Sequence, residues 1–110
     1  MQNGNRKLEQ CLIKAGFWSE RDGKLGTDEH SLGLILAWMR HCLSRDILPV
    51  FYGPCFGHKR HEARLVGRGL QRALASGESQ VDVIYKAALA LPDFLKSHPE
   101  CARRTFYASH

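Results

Sequence analysis

"GHKRHEARLVGRGLQRALASG", residues 57–77, sets Arg60, Arg64, Arg68 and Arg72 four residues apart. Wound as an α-helix, four-residue steps drift by about 40°, so the four guanidiniums would span only about 120° of the circumference. His61 and Gln71 fall in the same arc, while Ala63, Val66, Leu70, Ala73 and Leu74 gather on the opposite side. The pattern predicts an amphipathic helix over residues 58–76, apolar inward and arginine outward, with Gly77 as its C-terminal stop.

On such a helix Arg60 and Arg72 would stand about 18 Å apart. Glu62 is the one acid in the stretch, and it would point toward the apolar half. The arginines would then lack a carboxylate at the favourable four-residue spacing. Unpaired guanidiniums repel one another mildly, and their planar forks grip phosphate or carboxylate through two hydrogen bonds. Charge is concentrated in the same place: residues 51–77 carry five basic groups and one acid, +4 of a formal net charge of +5.

The expected function is therefore non-catalytic binding of an anionic macromolecule, regulatory in character. Nucleic acid is the first expected partner, held by its phosphate backbone with weak sequence discrimination. The expected contacts are Arg60, Arg64, Arg68 and Arg72, helped by Lys59, His58 and His61. The alternative partner is an acidic protein surface, as for an adaptor or an inhibitor of a larger complex, with Trp18, Phe51 or Tyr52 as apolar anchors. A bland alternative is a solvated face neutralised by acids elsewhere, such as Asp28, Glu29 or Asp93. A helix-turn-helix DNA reader fits poorly, because the segment that would enter the major groove is mostly alanine, leucine and valine.

Outward from this stretch the chain reads as helices punctuated by glycine and proline. Residues 5–15 predict a first helix stopped by Gly16, followed by a loop in which Phe17 and Trp18 pack back. "TDEHSLGLILAWMRHCLSRD" gathers Leu32, Ile35, Leu36, Met39, Cys42 and Leu43 on one face, widened by Leu34 and Trp38. Thr27 or Asp28 can cap it, and Pro49 lies beyond its end, so residues 28–46 form the expected central helix. Residues 48–57 suit a short strand or an aromatic-rich loop. Ser79 caps a nearly apolar helix, although Val81–Tyr85 also suit a strand. Pro92 is its expected stop, or the start of a short helix, and Pro99 the expected start of a last helix toward Tyr107. The expected fold is all-α: a compact single domain over residues 1–110, with five or six helices around the 28–46 helix and an irregular or short extended segment at 48–57.

Hydrophobic residues at 44% supply enough core material to argue against disorder. "MQNGNRKLEQ" carries no apolar run of the secretory kind, and the longest one, "LGLILAWM", is too short to span a bilayer. The expectation is a cytoplasmic protein with reduced thiols at Cys11, Cys42, Cys55 and Cys101, and no membrane partner. Cys55, His58 and His61 are zinc-compatible donors, with Cys42 or His41 as a fourth. The paired spacings of established fingers are missing, so no metal or cofactor is expected. Nothing in the chain assembles a nucleophile, base and oxyanion donor, nor a phosphate loop, so no enzymatic activity is expected. The wide apolar face around Trp38 leaves homodimerisation open.

Overall fold

The computed structural model describes residues 2–54 and 60–103, with side chains from Arg6 onward. In it the arginine stretch is a β-hairpin. Strand β2, His61–Gly67, turns back into strand β3, Leu70–Gly77. The expected helix over 58–76 is therefore overturned, and with it the all-α fold: the architecture is mixed, with three helices and a three-stranded antiparallel sheet.

The turn explains the difference. Gly67 pairs with Leu70, leaving Arg68 and Gly69 as a two-residue connection. Both have positive φ, 52° and 75°, as a type I′ turn demands, and the twist of that turn matches the twist of paired strands. Gly67 itself has φ 144°, and a Cβ there would fall on the Asp46 carbonyl oxygen and lie 3.0 Å from Ile47 Cα. Along β2, Ala63 and Leu65 are buried while Glu62, Arg64 and Val66 are half-buried. That is a period of two, one face inward and one outward.

Strand β1, Leu48–Tyr52, lies on the other side of β2, giving the order β1-β2-β3. Its register sets Leu48 opposite Val66, Val50 opposite Arg64 and Tyr52 opposite Glu62. The β2–β3 ladder shifts between Ala63 and Arg64, whose partners are Ala75 and Ala73, so Leu74 is an extra residue bulged on the edge strand.

Three helices complete the fold: α1, Gln2–Lys14, α2, Glu29–Cys42, and α3, Gln80–Ser97; α3 packs on β2 and β3, α2 on α3 and β1, and α1 on α3. Short 3-10 turns occupy Glu20–Asp22 and Pro99–Cys101. Helix α2 ends earlier than expected, because Leu43 turns extended (φ −90°, ψ 150°) and forms a bridge with Ala102. Helix α3 begins as expected at Ser79, whose Oγ accepts the Asp82 backbone N–H at 3.1 Å, and no strand forms at Val81–Tyr85. It does not stop at Pro92. The proline withdraws one ladder hydrogen bond at a cost of about 3 kcal/mol. Full burial of Leu91 and Leu95 on either side of it returns about 1.5–3 kcal/mol each. The expected last helix is, within the described residues, only the turn Pro99–Cys101; Tyr107 lies outside them.

The core joins Ile35, Trp38 and Met39 of α2 to Leu91 and Leu95 of α3 and to Ala63 and Leu65 of β2. Trp38 is 4% exposed and packs in the chain's own core, while Leu32, Leu34 and Leu36 on the same helix stay half-buried. The segment between α1 and α2 is tied down by polar contacts. The buried Glu9 carboxylate accepts from the Leu25 N–H and from Arg6, each at 3.0 Å. The Tyr85 hydroxyl donates to the Gly26 carbonyl. Among the described residues no helix is long and apolar enough to cross a membrane.

Candidate interaction surface

The hairpin sends the four arginines in different directions. Arg60 precedes β2 at one end of the sheet and is exposed, with no ion pair among the described residues. Arg64 points to the uncovered sheet face, where its Nε donates to Glu62 two residues away on the same side of the strand. That bond, and then the Glu62 charge, raise the guanidinium pKa further above its ordinary value.

Arg68 sits at the apex of the turn, about 26 Å from Arg60 at strand rise. It donates to Asp46 Oδ2 at 2.9 Å and to the Glu100 carbonyl at 3.3 Å. Arg72 pairs opposite buried Leu65 and so leans to the helix-covered side. Its Nη1 lies 2.9 Å from His98 Nε2, and its guanidinium carbon sits 5.7 Å from the centre of the Phe94 ring. An arginine N–H can only donate, so Nε2 of His98 accepts and the ring proton belongs on Nδ1, 3.2 Å from the Phe94 carbonyl oxygen. His98 also stacks on Phe94 at 4.4 Å.

Three of the four guanidiniums are thus engaged within the molecule, and the four share no face. His61, by contrast, opens β2 and lines a small cleft with Phe51, Tyr52, Gly53, Gln80 and Val83. Lys59 and His58 lie outside the described residues, as does Cys55. Of the zinc-compatible set only His61, Cys42 and His41 are described. Among the described residues no three His, Cys, Asp or Glu side chains gather as a metal site.

What the hairpin creates instead is a sheet face left open by the described residues. The helices pack against the side bearing Ala63 and Leu65, and alternation puts Glu62, Arg64 and Val66 on the other. Cross-strand pairing adds Leu48, Val50 and Tyr52 from β1, and Gln71, Ala73 and Ser76 from β3. Leu48 is 52% exposed and Tyr52 41%, the two large hydrophobic side chains left most in water among the described residues. The Glu62–Arg64 pair makes the centre of this face electrically neutral. Cations stand at its ends, in Arg60 and Arg68.

Both edges of the sheet are blunted, one by Pro49, which has no N–H to offer, and the other by the bulge at Leu74. The face, and not an edge, is the larger sheet surface that the described residues leave exposed. The sequence pointed to Tyr52 as an apolar anchor and to His61 beside the arginines, but it passed over Leu48 and Val50 and put Val66 on the inward side of a helix. The alternation of Ala63 and Leu65 with Glu62, Arg64 and Val66, running into Gly67-Arg68-Gly69, was the signal that could have found them. No family model, curated protein or solved structure matches this chain.

Proposed function

We propose that this protein is a non-catalytic protein-interaction module, and that it docks a partner on the open face of its sheet. The observation that carries this is the juxtaposition of exposed Leu48 beside half-buried Val66 near the turn, exposed Tyr52 at the far end of β1, a neutral ion pair between them and cations at both ends. Protein interfaces are enriched in these ingredients, tyrosine, arginine and exposed apolar side chains beside polar groups that complement a partner. Three strands spaced about 4.8 Å apart give a flat footprint of only about 300 Å², which suits the centre of a small, transient contact.

The partner is a protein surface with an apolar centre and acidic surroundings, because a chain of net charge +5 attracts acidic partners and repels a second copy of itself. Nucleic acid, the first expectation, loses its main support once the arginines part company. Phosphate binding needs several free cations along one track, and here three are committed internally.

The test compares the protein with its Leu48→Glu/Val66→Glu variant, which charges the face without touching the buried side of the strands. A partner retained from lysate of the source cells by the native protein is purified and rebound to each form. Binding that weakens with salt and falls by at least about tenfold in the variant supports the proposal. Duplex or single-stranded oligonucleotides that bind tightly and equally to both forms overturn it, as does a partner indifferent to the substitutions.

A further inference from the structure

At the end of the sheet nearest Arg60, on the helix-covered side and reached around the end of β1, β1, β2 and the first turn of α3 part to leave a cleft of about 130 Å³. Phe51 and Val83 contribute apolar wall, Tyr52 and His61 contribute ring surface, and Gln80 brings an amide. Gly53 contributes only backbone: a Cβ built there would come 3.9 Å from His61 Cε1. We propose that this cleft seats a single aromatic side chain, phenylalanine or tyrosine, of the protein partner. The proposal rests on the docking function of the sheet face, which shares Tyr52 with the cleft.

Size sets the first constraint. An apolar cavity of about 150 Å³ holds one benzene, so this cleft has room for one six-membered ring and not for a fused ring system carrying a sugar. The lining sets the second. Three rings and an aliphatic side chain favour a planar apolar occupant, while Gln80 and His61 offer hydrogen bonds to a hydroxyl at its edge.

Charge sets the third. The positive end of α3 is already answered by its own residues. Ser79 Oγ accepts from Asp82 N, and the Asp82 carboxylate accepts from Glu78 N at 3.2 Å and pairs with Lys86 at 3.1 Å. The Lys86 hydrogen bond first, and the charge of Arg60 last, hold the Asp82 pKa down. Among the described residues neither a lysine nor an arginine lines the cleft, which suits a neutral ring.

The occupant also follows from position. A chain lying across Tyr52 on the open face reaches the cleft by passing the end of β1, where Gly53 presents no side chain. One inserted ring there, with flatter contact along the strands, is the distribution expected of an interface with a single strong anchor.

The isolated, 15N-labelled protein tests this without any partner, using p-cresol as the tyrosine side chain and cytidine monophosphate as the competing chemistry. Saturable shifts at the amides of Gly53, His61, Gln80 and Val83, with a Kd of about 1 mM for p-cresol, are the expected result. Gln80→Trp, at an exposed position, fills the mouth and should abolish these shifts while the remaining spectrum stays dispersed. His61→Ala removes one wall and should weaken binding at least about threefold, which keeps the test decisive if the tryptophan variant misfolds. Absence of saturation up to about 10 mM, or shifts of the same amides at lower concentration by the nucleotide, overturns the proposal. Failure here with face-dependent partner binding intact would remove the anchor and leave the docking surface. Success here beside a partner indifferent to Leu48 and Val66 would do the reverse.

Discussion

Replacing Gly67 by alanine separates the hairpin from the helix by the sign of its effect. In an exposed helix interior, glycine to alanine stabilises by about 0.5–1 kcal/mol, because alanine loses less backbone freedom on folding. In the hairpin the added methyl meets two obstacles. Gly67 holds φ 144°, a conformation that costs a residue with a Cβ about 1–3 kcal/mol. The Cβ also falls on the Asp46 carbonyl oxygen, 2.9 Å from Asp46 C and 3.0 Å from Ile47 Cα, all of them backbone atoms that cannot swing aside.

Relief requires moving the 46–47 backbone away from β2. That movement loosens Ile47, only 2% exposed, and separates Asp46 from Arg68. Partial loss of Ile47 packing adds about 1–2 kcal/mol. The expected destabilisation is about 2–5 kcal/mol, a large part of the ~5–15 kcal/mol that holds a domain of this size together. It should lower Tm by roughly 8–20 °C. Circular dichroism melts and urea titrations of the two proteins measure it. Arg68→Gly is the control: glycine relieves the strain of φ 52° while losing an exposed ion pair, so stability should stay within about 1 kcal/mol. A Gly67→Ala protein as stable as the parent would refute the hairpin geometry and the arguments built on it.

Three further outcomes are expected. Ser79→Ala removes the side-chain cap of α3 and should destabilise by about 1 kcal/mol in urea titrations. The carboxyl pKa values of Asp28 and Asp82 are held below the ordinary 3.8, first by the hydrogen bonds from Ser31 and Lys86 respectively. A depressed folded pKa stabilises above the unfolded value and is lost as pH falls through the folded one. Thermal melts should therefore hold steady from neutrality to about pH 5 and decline below about pH 4, with the deficit of Asp82→Asn closing as the pH drops. Burial pushes the Cys42 thiol up to about 12, so at pH 8 only about one thiol in ten thousand is ionised. Mass spectrometry after iodoacetamide should show half-buried Cys11 modified well ahead of Cys42, and Cys42 reacting once urea unfolds the chain.

Much of the helical layer was legible in the sequence because its signals are local. The apolar face of α2 repeats at helical spacing, and Ser79 sits where a first turn leaves amides unsatisfied. Both need only neighbours within a few residues. Pro92 shows where local rules stop. A proline can stand inside a helix when the leucines around it are buried deeply enough, and that burial belongs to the partners and not to the segment.

For the arginine stretch, local information supports two answers equally. A four-residue repeat keeps its residues on nearly one side of a helix, and within a single strand it keeps them on one side as well, since four is a multiple of two. Apolar residues at 63, 65, 66, 70 and 74 can be read against either period. What separates the answers is the approach of Gly67 to the Asp46 backbone, the burial of Ala63 and Leu65 beneath helices far away in the chain, and the pairing of β2 with β1 across a connection of eight residues. The amino-acid sequence by itself determined the positive charge, the aromatic content and, apart from their boundaries, the three helices. Only the tertiary structure decided that the arginines would scatter and that a sheet face of mixed apolar and charged side chains would open, because strand pairing is a contract between distant segments that no window of neighbouring residues can express.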